Sequence, residues 1–173
     1  MSASSDLDRL LQRLEIYGVR LGLETTHRLL AALGNPQKKL RVALVAGTNG
    51  KGSTAALLAG MATTAGYRTG LYTSPHLESV EERLRIDGRA VSTGRLASTV
   101  ATIVASAENR LGYLPTYFET LTAAACLWFA EESVELAVLE VGMGGRLDAT
   151  NGTDPVLSLI TEIGLDHQDY LGP

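Results

Sequence analysis

The stretch LRVALVAGTNGKGSTAALLAG, residues 40–60, decides the fold of this chain. Its first half, RVALVA, predicts a buried strand, and its Ala/Leu-rich half predicts a helix from about Ser53 to Ala65. The turn between them contains Gly47, Gly50, Lys51 and Gly52. Glycines let successive backbone N–H groups point at an anion, and the positive end of the helix dipole adds to the attraction. The stretch therefore predicts a site for the phosphates of a nucleoside triphosphate.

The same loop offers a cation and hydroxyl groups. We expect nucleotide contacts from Thr48, Asn49, Gly50, Lys51, Gly52, Ser53 and Thr54. Lys51 would neutralise phosphate charge, and the hydroxyl of Ser53 or Thr54 would bind Mg²⁺. The pattern GxxxxGK[ST] is not met, because Val45 takes the first glycine position and Gly52 follows the lysine. Which hydroxyl binds the metal is thus open, and the alternative is a glycine-rich turn that binds no phosphate.

Strand and helix patterns alternate along the rest of the chain. Strands are predicted in TGLYTS (69–74), ELAVLEVG (135–142) and PVLSLITEIG (155–164), with a hairpin in ERLRIDGRAV (82–91). Helices are predicted in 7–18, capped by Asp6, and in 25–34, 92–109 and 116–132. The last two strands are nearly continuous apolar runs, as expected of strands buried on both faces. The fold class is therefore α/β, a P-loop-type, mostly parallel sheet flanked by helices.

Four polar loops are expected at one edge of this sheet. They follow the predicted parallel strands and cover residues 47–54, 73–79, 142–151 and 164–172. Ligands of such sheets bind at the carboxyl ends of the strands.

Several side chains in or beside these loops are candidates for chemistry. Glu140 ends its strand, where a carboxylate holds Mg²⁺ against phosphates, and its alternative is an exposed strand-end residue. His167 would be a second metal ligand or a base, and its alternative is a structural histidine. Ser74 follows the second strand, although Ser-Pro pairs commonly only make turns. Arg146 would clamp a carboxylate or phosphate with Asp148 orienting it, and the alternative is a local surface ion pair.

Composition narrows the class of protein. The chain has 173 residues, 45% of them hydrophobic, and a formal net charge of −4. These values are typical of one globular domain and do not favour a basic nucleic-acid-binding surface. No signal-peptide pattern or apolar run of about 18 residues occurs, so we expect a cytosolic protein without a membrane span. The single cysteine, Cys126, is interpreted as a buried filler.

Five ordered motifs together resemble a known family. They are AGTNGKGST (46–54), YTSPHL (72–77), PTYFET (115–120), LEVGMGGRLDATN (139–151) and ITEIGLDHQDYLG (160–172). From about Leu14 to its last residue the chain resembles the ATPase domain of folylpolyglutamate synthase and bifunctional dihydrofolate synthase, in the Mur ligase superfamily. The resemblance implies an incomplete Mur-ligase central ATPase domain, with residues 1–173 as its N-terminal part. It also implies a cytoplasmic ligase, monomeric when full length, that uses ATP and Mg²⁺ to join L-glutamate to dihydropteroate or folate through an acyl phosphate.

The resemblance also assigns residues. Ser74, Glu140 and His167 match the family's magnesium ligands, with Lys51 on the phosphates, and Lys51, Glu140 and His167 would be the catalytic set. The pterin and folate contacts map onto Arg20, Leu21, Gly22, Thr116, Tyr117, Phe118, Glu119, Arg146 and Leu147.

Family members continue into a C-terminal glutamate-binding domain that this chain does not contain. We therefore expect the 173-residue polypeptide alone not to complete ligation, because acyl transfer needs both reactants held together. A steady-state assay of glutamate addition tests this expectation, and turnover would refute it. Two other readings are a Mur-type ligase for a muramyl nucleotide and a non-catalytic P-loop module. A GTPase is disfavoured because no NKxD motif is present.

Overall fold

The computed structural model describes residues 3–166 and 168–172. Its helices are α1 (Ala3–Glu15), α2 (Glu24–Ala32), α3 (Lys51–Thr64), α4 (Thr93–Arg110), α5 (Tyr117–Glu131) and α6 (Gln168–Leu171). Its strands are β1 (Arg41–Ala46), β2 (Thr69–Tyr72), β3 (Leu84–Ile86), β4 (Arg89–Ala90), β5 (Leu136–Glu140) and β6 (Leu157–Ile160). Several predicted boundaries differ from the observed ones by a few residues. Helix α3 begins at Lys51 rather than near Ser53, and α1 begins early enough to place Asp6 inside its first turn rather than at a cap.

The strands form one sheet in the order β4-β3-β2-β5-β1-β6. Strands β2, β5, β1 and β6 run parallel, whereas β3 and β4 form the predicted antiparallel hairpin. Asp87 and Gly88 make its turn with φ of 49° and 78°, in the left-handed region that such turns require. The predicted α/β class with a mostly parallel sheet is confirmed.

Helices cover both faces of the sheet. The larger apolar cluster joins one face to α1, α2, α4 and α5 through residues such as Leu14, Leu29, Ile103 and Phe129. The smaller cluster packs α3 on the sheet through Ala43, Val45, Ala55, Ala59 and Val138. The central strands are therefore buried on both sides, and their carboxyl ends meet at one edge.

Strand β6 differs from its prediction. We expected burial on both faces, but Leu157 is 49% and Ile160 67% exposed. The reason is position, because β6 is the terminal strand of the sheet and pairs with β1 alone among the described strands.

Cys126 is completely buried in α5, and burial raises the pKa of its thiol to about 12. The thiol is therefore protonated at neutral pH, which agrees with its interpretation as a core filler. Across residues 3–166 and 168–172, no helix is long and apolar enough to cross a membrane.

Candidate active site

The glycine loop after β1 has a backbone that requires glycine. Gly47 adopts a φ of 133°, and a Cβ there would lie 2.0 Å from Oγ1 of Thr161. Gly50 caps the start of α3 with a φ of 79°, and its carbonyl accepts the Thr54 N–H at 3.0 Å. The loop therefore turns directly into a helix N-terminus, the geometry that binds anions.

The segment after β6 holds this loop in place. The Thr48 N–H donates to the Glu162 carbonyl at 2.7 Å, and the Thr48 hydroxyl donates to the Gly164 carbonyl at 3.1 Å. The Thr161 hydroxyl donates to the Asn49 carbonyl at 2.7 Å. The loop is thus pre-formed. Sequence analysis missed Thr161, although a hydroxyl residue directly after a strand at the loop-bearing edge was a signal.

Lys51 lies at the wall of a cavity of about 210 Å³. The cavity is lined by Ala46, Gly47, Thr48, Lys51, Gly142, Met143, Gly144, Ile160, Ile163, Gly164 and Asp166. The Lys51 ammonium donates to the Thr48 carbonyl at 3.0 Å. A phosphate entering this cavity meets loop N–H groups and a cation that the loop already holds.

Glu140 lies beside this loop, as its position at the end of β5 predicted. Strand β5 pairs with β1 and β2, and Glu140 is in register with Val45. The Glu140 side chain is 5% exposed, and its Oε2 accepts the Ser74 N–H at 3.0 Å. A Cβ on Gly52 would lie 3.4 Å from both carboxylate oxygens, so the first turn of α3 passes directly over the carboxylate.

Burial raises the pKa of the Glu140 carboxyl, while the Ser74 N–H and the positive charge of Lys51 act in the opposite direction. The net direction is upward, so ionised Glu140 carries a desolvation cost in the ligand-free protein. A cation bound at this carboxylate would remove that cost.

The structure describes only some of the predicted magnesium ligands and does not bring them together as a metal site. Ser74 contacts Glu140 through its backbone N–H rather than its hydroxyl, and Ser53 is an exposed residue in the first turn of α3. His167 lies outside the described residues. Within residues 3–166, no group of three or more His, Cys, Asp or Glu side chains gathers as a metal site. One carboxylate with nearby hydroxyls still fits Mg²⁺, which keeps waters and phosphates among its oxygen ligands.

A second cavity, of about 240 Å³, adjoins the first. It is lined by Gly18, Val19, Arg20, Leu21, Ser74, Pro75, Arg83, Thr116, Phe118, Glu119, Gly142, Met143, Leu147, Asp148 and Ala149. Gly22, a predicted substrate residue, does not line this cavity, but its N–H donates to the carbonyl of the lining residue Leu147 at 3.1 Å. Gly142 and Met143 line both cavities, so the two spaces meet at this pair of residues.

Two predicted substrate residues lie away from the second cavity. Tyr117 is half-buried with its ring facing the Arg83 guanidinium, 5.3 Å from Cζ to the ring centroid, because the first turn of α5 points Phe118 inward and Tyr117 toward Arg83. Arg146 is exposed. Its backbone carbonyl accepts a hydrogen bond from the Asn151 side-chain amide at 3.0 Å. Neither residue lines the cavity that contains the candidates Arg20, Leu21, Thr116, Phe118, Glu119 and Leu147.

The expected pairing of Asp148 with Arg146 is also wrong. Asp148 is buried, and its carboxylate accepts the Met143 N–H at 2.9 Å and the Thr150 N–H and hydroxyl at 3.0 and 2.6 Å. Burial raises the pKa of this carboxyl, against the effect of these hydrogen bonds. Asp148 therefore holds the loop shared by the two cavities, a role that sequence analysis missed.

Glu119 is buried, with 2% exposure, at the inner wall of the second cavity. Its Oε2 accepts the Thr116 N–H at 2.7 Å, and Thr116 Oγ1 accepts the Glu119 N–H at 3.2 Å, which caps α5. Its other oxygen, Oε1, is buried without a hydrogen-bond partner among the described residues. Buried acceptors rarely remain unsatisfied, so this oxygen is available to a ligand donor.

Comparison with known proteins places this geometry in a family. Residues 45–173 match the family model described as the Mur ligase middle domain, and the chain belongs to that family. A Haloferax volcanii protein named probable bifunctional folylpolyglutamate synthase/dihydropteroate synthase is 45% identical over 158 residues, or 90% of this chain and 19% of the relative.

Two solved structures share the fold over the whole chain. E. coli FolC in complex with DHPP and ADP has a TM-score of 0.91 at 39% identity and covers 100% of this chain and 42% of FolC. A bifunctional folylpolyglutamate synthase/dihydrofolate synthase with Mn, AMPPNP and L-glutamate bound has a TM-score of 0.88 at 40% identity. The match covers 100% of this chain and 42% of that chain. The chain thus spans about two fifths of these solved chains.

Proposed function

We propose that this chain provides the nucleotide site and the acid-acceptor site of an ATP-dependent ligase that adds L-glutamate to dihydropteroate or folate. One observation carries the proposal, namely the two adjoining cavities that share Gly142 and Met143. Lys51 lies in one cavity and Ser74 in the other, and the Glu140 carboxylate bonds to Ser74 beside the first turn of α3. A phosphoryl donor and a carboxylate acceptor bound in the two cavities would meet at the shared wall.

The first cavity is proposed to bind the triphosphate of ATP. Backbone N–H groups between Asn49 and Ser53 and the Lys51 ammonium support this assignment, as does the related structure that holds AMPPNP and Mn. Glu140, Ser74 and Ser53, with His167 by resemblance, would hold Mg²⁺. When bound, the metal supplies charge neutralisation on the phosphates.

The second cavity is proposed to bind the pteridine of the acceptor. The Phe118 ring offers a flat apolar surface to such a ring system. It packs against the Tyr72 ring at 6.0 Å between centroids, which holds it in place. The free Oε1 of Glu119 and the carboxylate of Asp148 are acceptors for the ring N–H donors of such a heterocycle. Arg20, Leu21 and Leu147 line the remaining walls, and the Gly22 N–H donates to the Leu147 carbonyl. The E. coli relative with DHPP bound supports an acceptor of this class.

The chemistry follows from this placement. An acceptor carboxylate oxygen attacks the γ-phosphorus of ATP, the bond from that phosphorus to the β,γ-bridging oxygen breaks, and ADP leaves. The glutamate amine then attacks the acyl carbon, losing a proton as phosphate departs. The loop amides and Lys51 hold the phosphates in line, and positioning of this kind supplies much of the rate in phosphoryl transfer.

The proposed partners are small molecules: ATP, L-glutamate and a dihydropteroate or folate acceptor. The net charge of −4 does not favour a nucleic-acid partner. We propose a cytoplasmic enzyme with no membrane partner, monomeric as a whole protein.

Calorimetric titration of the 173-residue chain tests the proposal. We expect AMPPNP to bind only with a divalent cation, and dihydropteroate to bind more tightly than tetrahydrofolate or a UDP-muramyl nucleotide. Tighter binding of the muramyl nucleotide would favour a different Mur-type ligase. Nucleotide binding with no acceptor binding would favour a non-catalytic P-loop module.

Glu119→Gln is expected to weaken dihydropteroate binding while leaving the fold intact. The glutamine carbonyl can still accept the Thr116 N–H and keep the cap, but its amide then places N–H donors where the free Oε1 lies. Loss of a hydrogen bond to a charged group corresponds to a weakening of about tenfold or more.

The control for this variant is Glu108→Gln, which changes a half-exposed carboxylate paired with Arg13 at 3.0 Å. Surface pairs of this kind contribute little. Equal dihydropteroate affinities for the two variants would remove Glu119 from the acceptor site.

A further inference from the structure

Arg83 is a buried cation in the wall of the second cavity, and sequence analysis assigned it no role. It ends a 3₁₀ turn, Val80–Arg83, directly before β3. Its carbonyl accepts the Thr73 N–H at 3.0 Å, which places it at the carboxyl end of β2, beside Ser74. The residue is only 8% exposed and lines the cavity together with Ser74 and Glu119.

Two neighbours fix the direction of its side chain. The Arg83 Nε donates to Nδ1 of His76 at 2.8 Å, and its Cζ lies 5.3 Å from the centroid of the Tyr117 ring. The hydrogen bond occupies Nε, and the ring contact supports the guanidinium plane. Both terminal nitrogens remain as a donor pair.

No acidic side chain of residues 3–166 forms an ion pair with Arg83. The guanidinium donates from Nε to His76, and among the side chains that the structure describes no acceptor takes a hydrogen bond from its terminal nitrogens. A guanidinium stays charged at all working pH values, and a buried charge without a partner is costly. The cavity wall, which also contains the carboxylates of Glu119 and Asp148, therefore carries at Arg83 a buried cation that an anionic ligand would neutralise.

Charge and shape together indicate a carboxylate. The two terminal nitrogens of arginine match the two oxygens of a carboxylate in a paired hydrogen bond. The positive side chain lies in the cavity assigned to an acid acceptor, next to the loop that carries Ser74.

We propose that Arg83 binds the carboxylate of the acid substrate and selects acids over their neutral esters, with His76 and Tyr117 as positioning residues. This assignment rests on the proposed function, because it takes the second cavity to be the acceptor site. Arg83 would pair with both oxygens of the acceptor carboxylate, and each oxygen keeps a second lone pair with which it can attack phosphorus. His76, which the sequence placed in a loop without a role, then has the task of aiming the guanidinium.

The test compares binding of pteroate and its methyl ester to the 173-residue chain by calorimetry. Arg83→Gln is expected to weaken pteroate binding at least tenfold and ester binding by no more than about twofold, in keeping with the loss of a charge-assisted hydrogen bond. Arg83→Lys keeps the charge but not the paired donors. Its pteroate affinity is expected to lie between those of the wild type and Arg83→Gln. Arg89→Gln, at an exposed position in β4, makes the same charge change and is the control.

His76→Ala tests whether His76 positions the guanidinium or only stabilises the fold. It is expected to reduce the preference for acid over ester while leaving the thermal melting temperature within a few degrees of wild type. Equal loss of acid and ester binding in Arg83→Gln, or no loss of either, would overturn the proposal.

A separate titration distinguishes failure of this inference from failure of the proposed function. If the chain binds AMPPNP but neither pteroate nor its ester, the acceptor assignment fails. Titration with 4-aminobenzoate, followed by the NMR signal of the Arg83 Nε–H, then reports on the carboxylate alone. A shift that is lost in Arg83→Gln supports a carboxylate site at Arg83, and an unmoved signal refutes it.

Discussion

Replacing Gly47 with alanine is expected to abolish nucleotide binding. The φ of 133° at this position is one that side-chain-bearing residues rarely adopt, and the new Cβ would lie 2.0 Å from Thr161 Oγ1 and 3.1 Å from the Glu162 carbonyl. Backbone strain of this kind costs about 1–3 kcal/mol, and the clash adds to it. Because Thr161 also holds the Asn49 carbonyl, relief of the clash would move the loop itself. We expect AMPPNP affinity to fall by about a hundredfold or more, the equivalent of about 2.7 kcal/mol.

The control for this variant is Gly60→Ala, in the middle of α3. No atom lies within 4 Å of a Cβ at that position, and the backbone is helical. Alanine in place of glycine in a helix stabilises by about 1 kcal/mol at most, so this variant should bind AMPPNP normally and melt slightly higher. Wild-type affinity in Gly47→Ala would show that the loop is not the phosphate site.

Replacing Glu140 with glutamine is expected to make AMPPNP affinity the same with and without a divalent cation. The ligand-free variant is expected to be at least as stable as the wild type. Glutamine can still accept the Ser74 N–H through its amide oxygen. It has no charge to desolvate, whereas burial raises the pKa of the Glu140 carboxyl.

The pH dependence of this difference has a definite sign. When the folded-state pKa of a carboxyl lies above its unfolded value, the folded state binds more protons between the two values, so stability falls as pH rises through that window. The ionised carboxylate therefore destabilises the ligand-free wild type at neutral pH. Below the unfolded pKa the penalty is absent. The stability gain of Glu140→Gln should thus be largest near pH 7 and disappear in acid.

Thermal melts from pH 4 to pH 8, with and without AMPPNP and Mn²⁺, measure both effects. Glu108→Gln is the control, because its half-exposed carboxylate lines neither cavity. A Glu140→Gln variant that is less stable than wild type at pH 7, or that keeps full cation-dependent nucleotide binding, would contradict the assignment.

Much of the fold was predictable because it depends on local pattern. Strand β1 was predicted over RVALVA and is observed at Arg41–Ala46, and the Asp87–Gly88 turn lies where the hairpin motif placed it. Strand β6 was predicted with the right location and the wrong burial. Its apolar sequence is typical of a strand covered on both sides, but exposure depends on which elements pack beside it, and that is a property of the tertiary arrangement.

The candidate site was likewise predictable from the sequence only in part. The positions of the glycine loop and Glu140 at the sheet edge were predicted correctly, because their spacing relative to the strands sets them there. Arg83 and Thr161 were not predicted and Asp148 was given the wrong partner, because each acts through contacts between segments or across a turn that composition does not reveal. The Asp148 carboxylate, for example, turns inward onto the Met143 N–H instead of outward to Arg146, and only the course of the loop decides this.

A crystal structure of the 173-residue chain with AMPPNP and Mn²⁺, with the metal located by its anomalous scattering, tests the proposed nucleotide site most directly. We expect the triphosphate against Gly47–Lys51, in the cavity that reaches Gly142–Gly144, and the anomalous peak within coordination distance of the Glu140 carboxylate. A nucleotide bound elsewhere, or a metal peak away from Glu140, would contradict the proposed site.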